Sequence, residues 1–283
     1  MNRRTAVIGA GYVGKRLIGR HPAGSVLSFS RPDFDLDRAD VSLELPESCS
    51  ILYTVPPKPD HSTDVRLERL LDRLDPAPLR FVYISTTGVY GDCGGELVDE
   101  MRPVNPQNDR TRLRVAAENT LQDWCEERGV ACVILRVPGI YGPGRLGIQR
   151  VRAGMPNIRE SEANPGNRIH VDDLVSCCEA ALSSDAPSGI YNVGDGDHRS
   201  ATWFSQELAR QIDAGPPPEI SLEQASKEFS EMRLSFLGES RRIDTTKMRD
   251  VLGVTLRYSK PEDGIAASLS RPGNGGRDVS RPK

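Results

Sequence analysis

Gly9-Ala-Gly11-Tyr12-Val13-Gly14 follows the apolar run Thr5–Ile8 and precedes Lys15-Arg-Leu-Ile18, a helical pattern. Glycines at this spacing, between strand and helix, suit a turn that cradles a dinucleotide. Gly9 permits the tight turn, Gly11 lets a pyrophosphate approach the backbone, and Gly14 lets helix and strand pack closely. The diphosphate then rests on the positive end of the helix dipole. An acid that would select NAD(H) is expected at the end of the second strand. There the sequence reads Phe29-Ser30-Arg31, and the first acid, Asp33, lies beyond Pro32. Arg31 offers a permanently charged planar fork to a 2′-phosphate, with Ser30 as a second donor. NADP(H) is therefore favoured. NAD(H) stays open, since an arginine stacked on adenine suits either cofactor.

The elements that position this turn are legible in the hydrophobic pattern. Short β-rich runs at Thr5–Ile8, Ser25–Phe29, Ser50–Val55, Arg80–Ser85, Ala131–Val137 and Ile190–Val193 alternate with helical stripes. Those stripes are Leu67, Leu70, Leu71 and Leu74, then Leu113, Ala116, Ala117, Leu121 and Trp124, then Leu174, Cys178, Ala181 and Leu182. Such alternation predicts an α/β, Rossmann-type doubly wound parallel sheet with helices on both faces. After Val193 the pattern changes: helices are expected around Trp203–Ile212, Leu222–Phe229 and Thr245–Leu252. Residues 1–142 and 167–198 are assigned to the dinucleotide-binding domain. Residues 143–166, which include an irregular stretch, and 199–270 are assigned to a small C-terminal substrate lobe. The tail 271–283, rich in Gly, Pro and charge, is expected to be disordered.

Further segments carry a family resemblance. Tyr83-Ile-Ser-Thr-Thr-Gly-Val-Tyr-Gly91, Leu135-Arg-Val-Pro-Gly-Ile-Tyr-Gly-Pro-Gly144, Arg168-Ile-His-Val-Asp-Asp-Leu174 and Tyr191-Asn-Val-Gly194 follow the glycine turn in order. With that turn they resemble the extended short-chain dehydrogenase/reductases, and most closely the atypical bacterial members of the epimerase/dehydratase type. The resemblance runs to about Leu269. It implies that Thr86 is the catalytic Ser/Thr, hydrogen-bonding a substrate carbonyl or hydroxyl, while strand alternation turns Ser85 and Thr87 elsewhere. Val55 and Pro56 are implied to line the path of the nicotinamide ribose. Pro138 and Gly139 are placed beside the nicotinamide through their backbone.

The resemblance breaks where the family carries a Tyr-x-x-x-Lys pair. Counting back from Glu118 puts Arg114 in the lysine position and Arg110 in the tyrosine position. Arg114 could keep the ribose contact and the positive field. Arg110 cannot replace a tyrosine, because guanidinium does not release its proton at working pH, but it could bind an anionic substrate. Tyr90 and Tyr141 read as packed hydroxyls and Asp99-Glu100 as a solvated loop. His170 reads as a partly buried histidine with a backbone partner, Asp172 as the cap of the following helix, and Asp173 as a first-turn acid. Arg145, Arg150, Arg152 and Arg159 could favour an anionic ligand.

Composition narrows the partners. A formal net charge of −3 exerts no long-range pull on nucleic acid or an anionic membrane. No apolar run approaches the ~20 residues of a membrane helix, and no signal-peptide pattern precedes the first strand. Cys49, Cys93, Cys125, Cys132, Cys177 and Cys178 show no CxxC pairing and no nearby histidine cluster, so reduced thiols in a cytoplasmic protein and no metal are expected. The implied partner is a small polar molecule, sugar-nucleotide or anionic. Homodimerisation through the Leu67–Leu74 and Leu113–Trp124 helices is common in the family. The chain reads either as a divergent reductase or epimerase with a non-standard proton donor, or as a non-catalytic NADP(H)-binding sensor or scaffold.

Overall fold

A computed structural model describes residues 4–38, 43–230, 234 and 238–270; the tail expected to be disordered lies outside them. The chain runs β1 (Thr5–Ile8), α1 (Tyr12–Arg20), β2 (Val26–Phe29), β3 (Ser50–Tyr53), α2 (Val65–Leu71) and β4 (Arg80–Thr86). It continues through β5 (Leu97–Val98), α3 (Asp109–Arg128), β6 (Ala131–Val137), β7 (Gly139–Tyr141), α4 (Ile148–Arg152) and β8 (Asn157–Ile158). Then come β9 (Arg168–His170), α5 (Val171–Leu182), β10 (Gly189–Asn192), α6 (Ala201–Gln211), β11 (Glu219–Ile220), α7 (Leu222–Glu228) and β12 (Arg242–Ile243). Two last helices cover Thr246–Asp250 and Pro261–Leu269.

Six strands form one parallel sheet in the order β10-β6-β4-β3-β1-β2. Strand alternation divides its two faces. Ala6, Ile8, Ile51 and Tyr53 pack with Leu67 and Leu70 of α2 and Ala117 and Leu121 of α3. The intervening Val7 and Leu52 pack with Leu17 of α1 and Leu174 and Val175 of α5. A sheet covered on both faces accounts for the nearly continuous apolar runs. The leucine stripe of α2 is fully committed to this core, with Leu67 and Leu70 at 0% exposure, each burial worth roughly 1.5–3 kcal/mol. Leu113, Leu121 and Trp124 of α3 are buried as well. The apolar faces named for a homodimer are thus part of the protein's own core.

The chain passes from β1 to β2 on one side and to β3 on the other, so the topological switch point lies between β1 and β3. In open α/β sheets the crevice at the carboxyl ends of such strands is where ligands bind. β3 ends at Tyr53, short of the expected Val55: Thr54 donates its hydroxyl to the Gly9 carbonyl, and the chain turns at the crevice. The stretch from Gly142 to Asn167, expected to be irregular, contains α4 and β8, and β8 pairs with β11. A small separate cluster joins Leu146, Val151, Leu208 and Ile265 across α4, α6 and the last helix.

One buried ion pair ties α3 to the sheet. Arg136 of β6 donates to Glu118 of α3 at 2.7 Å through Nη2, with side chains 5% and 2% exposed. Ser85 of β4 also donates to Glu118, and the Arg136 guanidinium lies 4.8 Å from the centre of the Tyr90 ring. Glu118→Ala leaves Arg136 buried without its counter-charge, and the expected loss of unfolding free energy in urea is about 3–5 kcal/mol. A loss below about 1 kcal/mol, the range of an exposed pair, would show that the pair does not organise this region.

Candidate active site

The glycine turn is built as the spacing predicts. Gly9 has φ +90°, and a Cβ there would stand 2.6 Å from Val55 Cγ2. A Cβ on Gly14 would stand 2.8 Å from Val7 Cγ1, so this glycine sets the approach of α1 to β1. Gly11 differs: its Cβ would meet nothing nearer than the Gly9 carbonyl, at 3.9 Å. The space over Gly11 is open for a ligand. Gly11 is also the N-cap of α1 and supplies no capping side chain, which leaves the backbone amides of the first turn for an anion.

A cavity of about 460 Å³ opens at the switch point. Gly9, Gly11, Ser30, Arg31, Val55 and Pro56 all line it, so most of the expected cofactor residues converge. Charged lining residues outside the expected cofactor set are Lys15, Asp35 and Arg66. Arg66 donates to both carboxylate oxygens of Asp37 and to the Pro56 carbonyl at 3.0 Å, fixing that loop. Its hydrogen bonds hold the Asp37 carboxyl below its ordinary pKa. Tyr12 and Val13 place their side chains elsewhere. Val13 is buried between α1 and the sheet. Tyr12 donates to the Pro143 carbonyl at 3.0 Å, with Arg16 and Arg145 each 4.1 Å from its ring centre.

A second cavity, of about 640 Å³, is lined by Thr86, Gly88, Arg110, Pro138 and Gly139, among others. Thr86 ends β4 and caps the 3₁₀ turn Thr87–Tyr90, accepting the Gly88 N–H at 3.1 Å. Its own hydroxyl proton has no acceptor among the described residues and is available to a ligand. Ser85 is buried against Glu118, but Thr87, although buried, lines the same cavity as Thr86; it lies past the end of β4 in the 3₁₀ turn, so strand alternation does not turn it elsewhere as expected. Arg110 lies in the first turn of α3, which Asn108 and Thr111 hold by a reciprocal capping box. Desolvation lowers the Arg110 pKa; Glu239 opposes that, and Arg114 and Arg241 add to it.

Arg114 lines neither cavity. Its Nη1 donates to the Tyr83 hydroxyl at 2.9 Å and to the Ile84 carbonyl at 3.0 Å. Burial pushes the Tyr83 phenol up to about 12, with Arg114 opposing. Tyr90 donates to Asn192 Oδ1 at 2.8 Å, and Tyr141 is buried edge-on to His170 and Phe204. Both hydroxyls belong to packing. Glu100 is not simply solvated: it accepts the Asn192 N–H at 2.7 Å. His170, 1% exposed, is the cap of α5 in place of the expected Asp172, its Nδ1 accepting the Asp172 N–H at 3.1 Å. Asp172 sits two residues beyond the cap position, inside the first turn. Asp173 accepts the backbone N–H groups of Arg257 and Tyr258. Of the four arginines named for an anionic ligand, Arg145 and Arg150 line the larger cavity.

Sequence reasoning missed Glu239 and Arg241, which line that cavity beside Arg110. More than a hundred residues separate them from α3, and no local spacing could connect them. It also missed Asp195, whose burial raises its carboxyl to about 7 and leaves Oδ2 without a partner among the described residues. Among those residues there is no His/Cys/Asp/Glu cluster fit for a metal, and no helix is long and apolar enough to cross a membrane.

The structure carries a doubly wound sheet, a glycine turn at its switch point and a Ser/Thr corner over a second cavity. Residues 61–194, just under half of the chain, match the model of the NAD dependent epimerase/dehydratase family. Human dTDP-D-glucose 4,6-dehydratase is 28% identical over 141 residues, or 47% of this chain and 40% of that enzyme. The chain thus spans less than half the length of that relative. A functionally unknown conserved protein from Silicibacter pomeroyi DSS superposes with a TM-score of 0.80 at 25% identity, covering 95% of this chain and 98% of the other. RMD from Pseudomonas aeruginosa, solved with NADPH, superposes with a TM-score of 0.72 at 18% identity, covering 95% and 99%.

Gly11→Val would place a branched side chain over the turn, where its Cβ stands 3.9 Å from the nearest atom, the Gly9 carbonyl oxygen. Dinucleotide binding, measured by calorimetry, is expected to vanish with the melting temperature nearly unchanged. Unaltered affinity would put the nucleotide elsewhere.

Proposed function

We propose that the chain is an NADP(H)-dependent enzyme of the reductase or epimerase type, acting on a small polar substrate of the sugar-nucleotide or anionic class. The observation that carries this reading is the convergence of Gly9, Gly11, Ser30 and Arg31 on one cavity at the switch point. The open space over Gly11 fits a pyrophosphate, and the exposed Arg31 fits a 2′-phosphate. Asp35 in the same wall is the residue that weighs toward NAD(H). The nicotinamide, when bound, supplies hydride transfer. The substrate lobe, residues 143–166 and 199–270, closes the larger cavity.

Within that cavity Thr86 orients a substrate oxygen. The Gly88 N–H fixes the Thr86 oxygen from behind, so the hydroxyl proton is directed to the ligand. Arg110 and Arg114 stand where the family carries its tyrosine and lysine, and neither guanidinium releases a proton at working pH. Arg114, bonded to the end of β4, supplies positive field behind the site. A proton therefore comes to or leaves the substrate through another group or water. That substitution also favours a second reading, a cofactor-binding sensor or scaffold without turnover.

Two measurements test these assignments. Arg31→Ala is expected to weaken NADPH by ~1.5–3 kcal/mol, as for a charge-assisted hydrogen bond, with NADH nearly unaffected; equal loss for both cofactors removes the phosphate assignment. Thr86→Val is expected to cost ~2–4 kcal/mol in transition-state stabilisation with NADPH affinity intact. Activity untouched by that change would favour the sensor or scaffold.

A further inference from the structure

Of the six cysteines, Cys125 and Cys132 meet although they sit on different elements. Helix α3 ends at Gly129, whose left-handed backbone reverses the chain, and the Val130 N–H closes the turn on the Cys125 carbonyl at 2.9 Å. The next residue, Ala131, begins β6, which pairs with β4 so that Cys132 stands opposite Phe81. Alternation along β6 sends Val133 to the face of α1 and α5, and Cys132 and Ile134 to the face of α2 and α3. Cys125 packs in that same cluster. Its thiol donates a hydrogen bond to the Cys132 sulfur. That bond holds the Cys132 thiol below its ordinary pKa, against burial, and drives the Cys125 thiol up, together with burial. Cys125 is 1% exposed, whereas Cys132 is half-buried. The other thiols are placed differently. Cys93 donates to the Tyr90 and Gly91 carbonyls, and Cys177 to the Met248 sulfur at 3.5 Å. Cys177 and Cys178 are neighbours on α5 that do not face each other, and burial pushes Cys178 up to about 12. Burial raises Cys49 as well.

The geometry points to Cys125 and Cys132 as a redox-active thiol pair, oxidised to an intrachain disulfide by a small hydroperoxide. The thiolate is the nucleophile of sulfur chemistry, so the half-buried Cys132 acts first. Its sulfur attacks one peroxide oxygen, the O–O bond breaks, and the departing hydroxide takes up a proton as water. Cys132 is then a sulfenic acid. The Cys125 sulfur attacks it, the S–OH bond breaks and the S–S bond forms, and the thiol proton leaves with the hydroxide as a second water. Two thiols are oxidised, and hydrogen peroxide is reduced to two waters. An external thiol resets the pair by exchange, two of its molecules becoming one external disulfide. The pair sits near the amino end of β6, whereas the dinucleotide crevice lies at the carboxyl ends of the strands. This chemistry therefore stands apart from the proposed cofactor and substrate.

Peptide mapping tests the pair directly. The reduced full chain, freed of reductant, is treated with near-stoichiometric hydrogen peroxide, then alkylated under denaturing conditions and read by mass spectrometry. The expected product has lost two hydrogens, joins the peptides of Cys125 and Cys132, and carries alkyl groups on Cys49, Cys93, Cys177 and Cys178. Dithiothreitol before alkylation is expected to restore all six alkylated thiols. Cys125→Ala removes the resolving sulfur, so dimedone is expected to capture a sulfenic acid at Cys132. Cys132→Ser is expected to leave Cys125 unmodified at the same dose. A melting curve accompanies each variant, and mapping of the parent decides the matter if a variant unfolds. Six alkylated thiols in the peroxide-treated parent overturn the inference, as does a disulfide joining any other two cysteines. Dimedone capture at Cys125 in the Cys132→Ser chain also overturns it, by making the buried sulfur the nucleophile.

Discussion

The buried contact of Glu118 with Arg136 and Ser85 is the constraint from which the substrate side of this molecule follows. Two charges removed from water are tolerated only when they meet each other with good geometry and their remaining hydrogen-bonding capacity is used. Here Arg136 Nε reaches both carboxylate oxygens, its Nη2 donates to Oε2, and the Ser85 hydroxyl adds a third donor at Oε1. The pair therefore fixes the rotation and height of α3 over β4 and β6. Residues four apart on a helix share a face, so once Glu118 points at the sheet, Arg114 and Arg110 follow one and two turns earlier. Arg114 lands on the Tyr83 hydroxyl and the Ile84 carbonyl. Arg110 lands at the cavity beside Thr86. The chemistry of those positions depends on the residue types there, whereas their placement depends on Glu118.

The cofactor side is governed by a different constraint, the close approach of three segments at the switch point. The Gly9 N–H donates to the Phe29 carbonyl at 2.8 Å, and the Thr54 N–H donates to the Ile8 carbonyl at 3.0 Å, so the ends of β1, β2 and β3 are locked together. A side chain at Gly9 would strike Val55, and one at Gly14 would strike Val7. These glycines answer to packing. Gly11 answers to the empty space above it. That distinction separates residues that build the site from the one that leaves room for a ligand.

Much of this was legible in the sequence because it is local. The parallel sheet, the buried leucine stripe of α2 and the glycine turn each rest on a period or spacing within about twenty residues. Strand alternation separated Thr86 from Ser85, which is buried against Glu118, but not from Thr87, which lies beyond the strand and lines the same cavity. What escaped was non-local or below the length at which a pattern exists. The pairs β5–β12, β8–β11 and β7–β9 have only two or three residues each, too few to show alternation. His170 took the capping role from Asp172 because an imidazole nitrogen accepts a backbone N–H as a carboxylate does, and histidine carries little statistical weight at that position. Glu239 and Arg241 reach α3 only through the folded chain. The side chain of Tyr12, inside the most legible motif of all, turns away to Pro143, since a motif specifies its glycines and leaves the residues between them to their neighbours.

The arginines on α3 shift the work expected of this helix. In a tyrosine–lysine pair the lysine field lowers the phenol pKa so that one side chain can exchange a proton near neutrality. Guanidinium groups at both positions keep the field and remove the exchange. Tyr83 does not restore it: its hydroxyl accepts from Arg114, yet burial raises its pKa to about 12, and it lines neither cavity. On the proposed reading, the ionisable acids that remain in the cavity wall among the described residues are Glu162 and Glu239. Glu162 accepts the Leu222 N–H on the lobe side, while Glu239 stands with Arg241 beside the Thr86 corner. Positive charge at this corner favours an alkoxide or carboxylate over its protonated form, whichever group carries the proton away. On that proposed reading, arginines at these two positions bear on substrate recognition and on proton chemistry together.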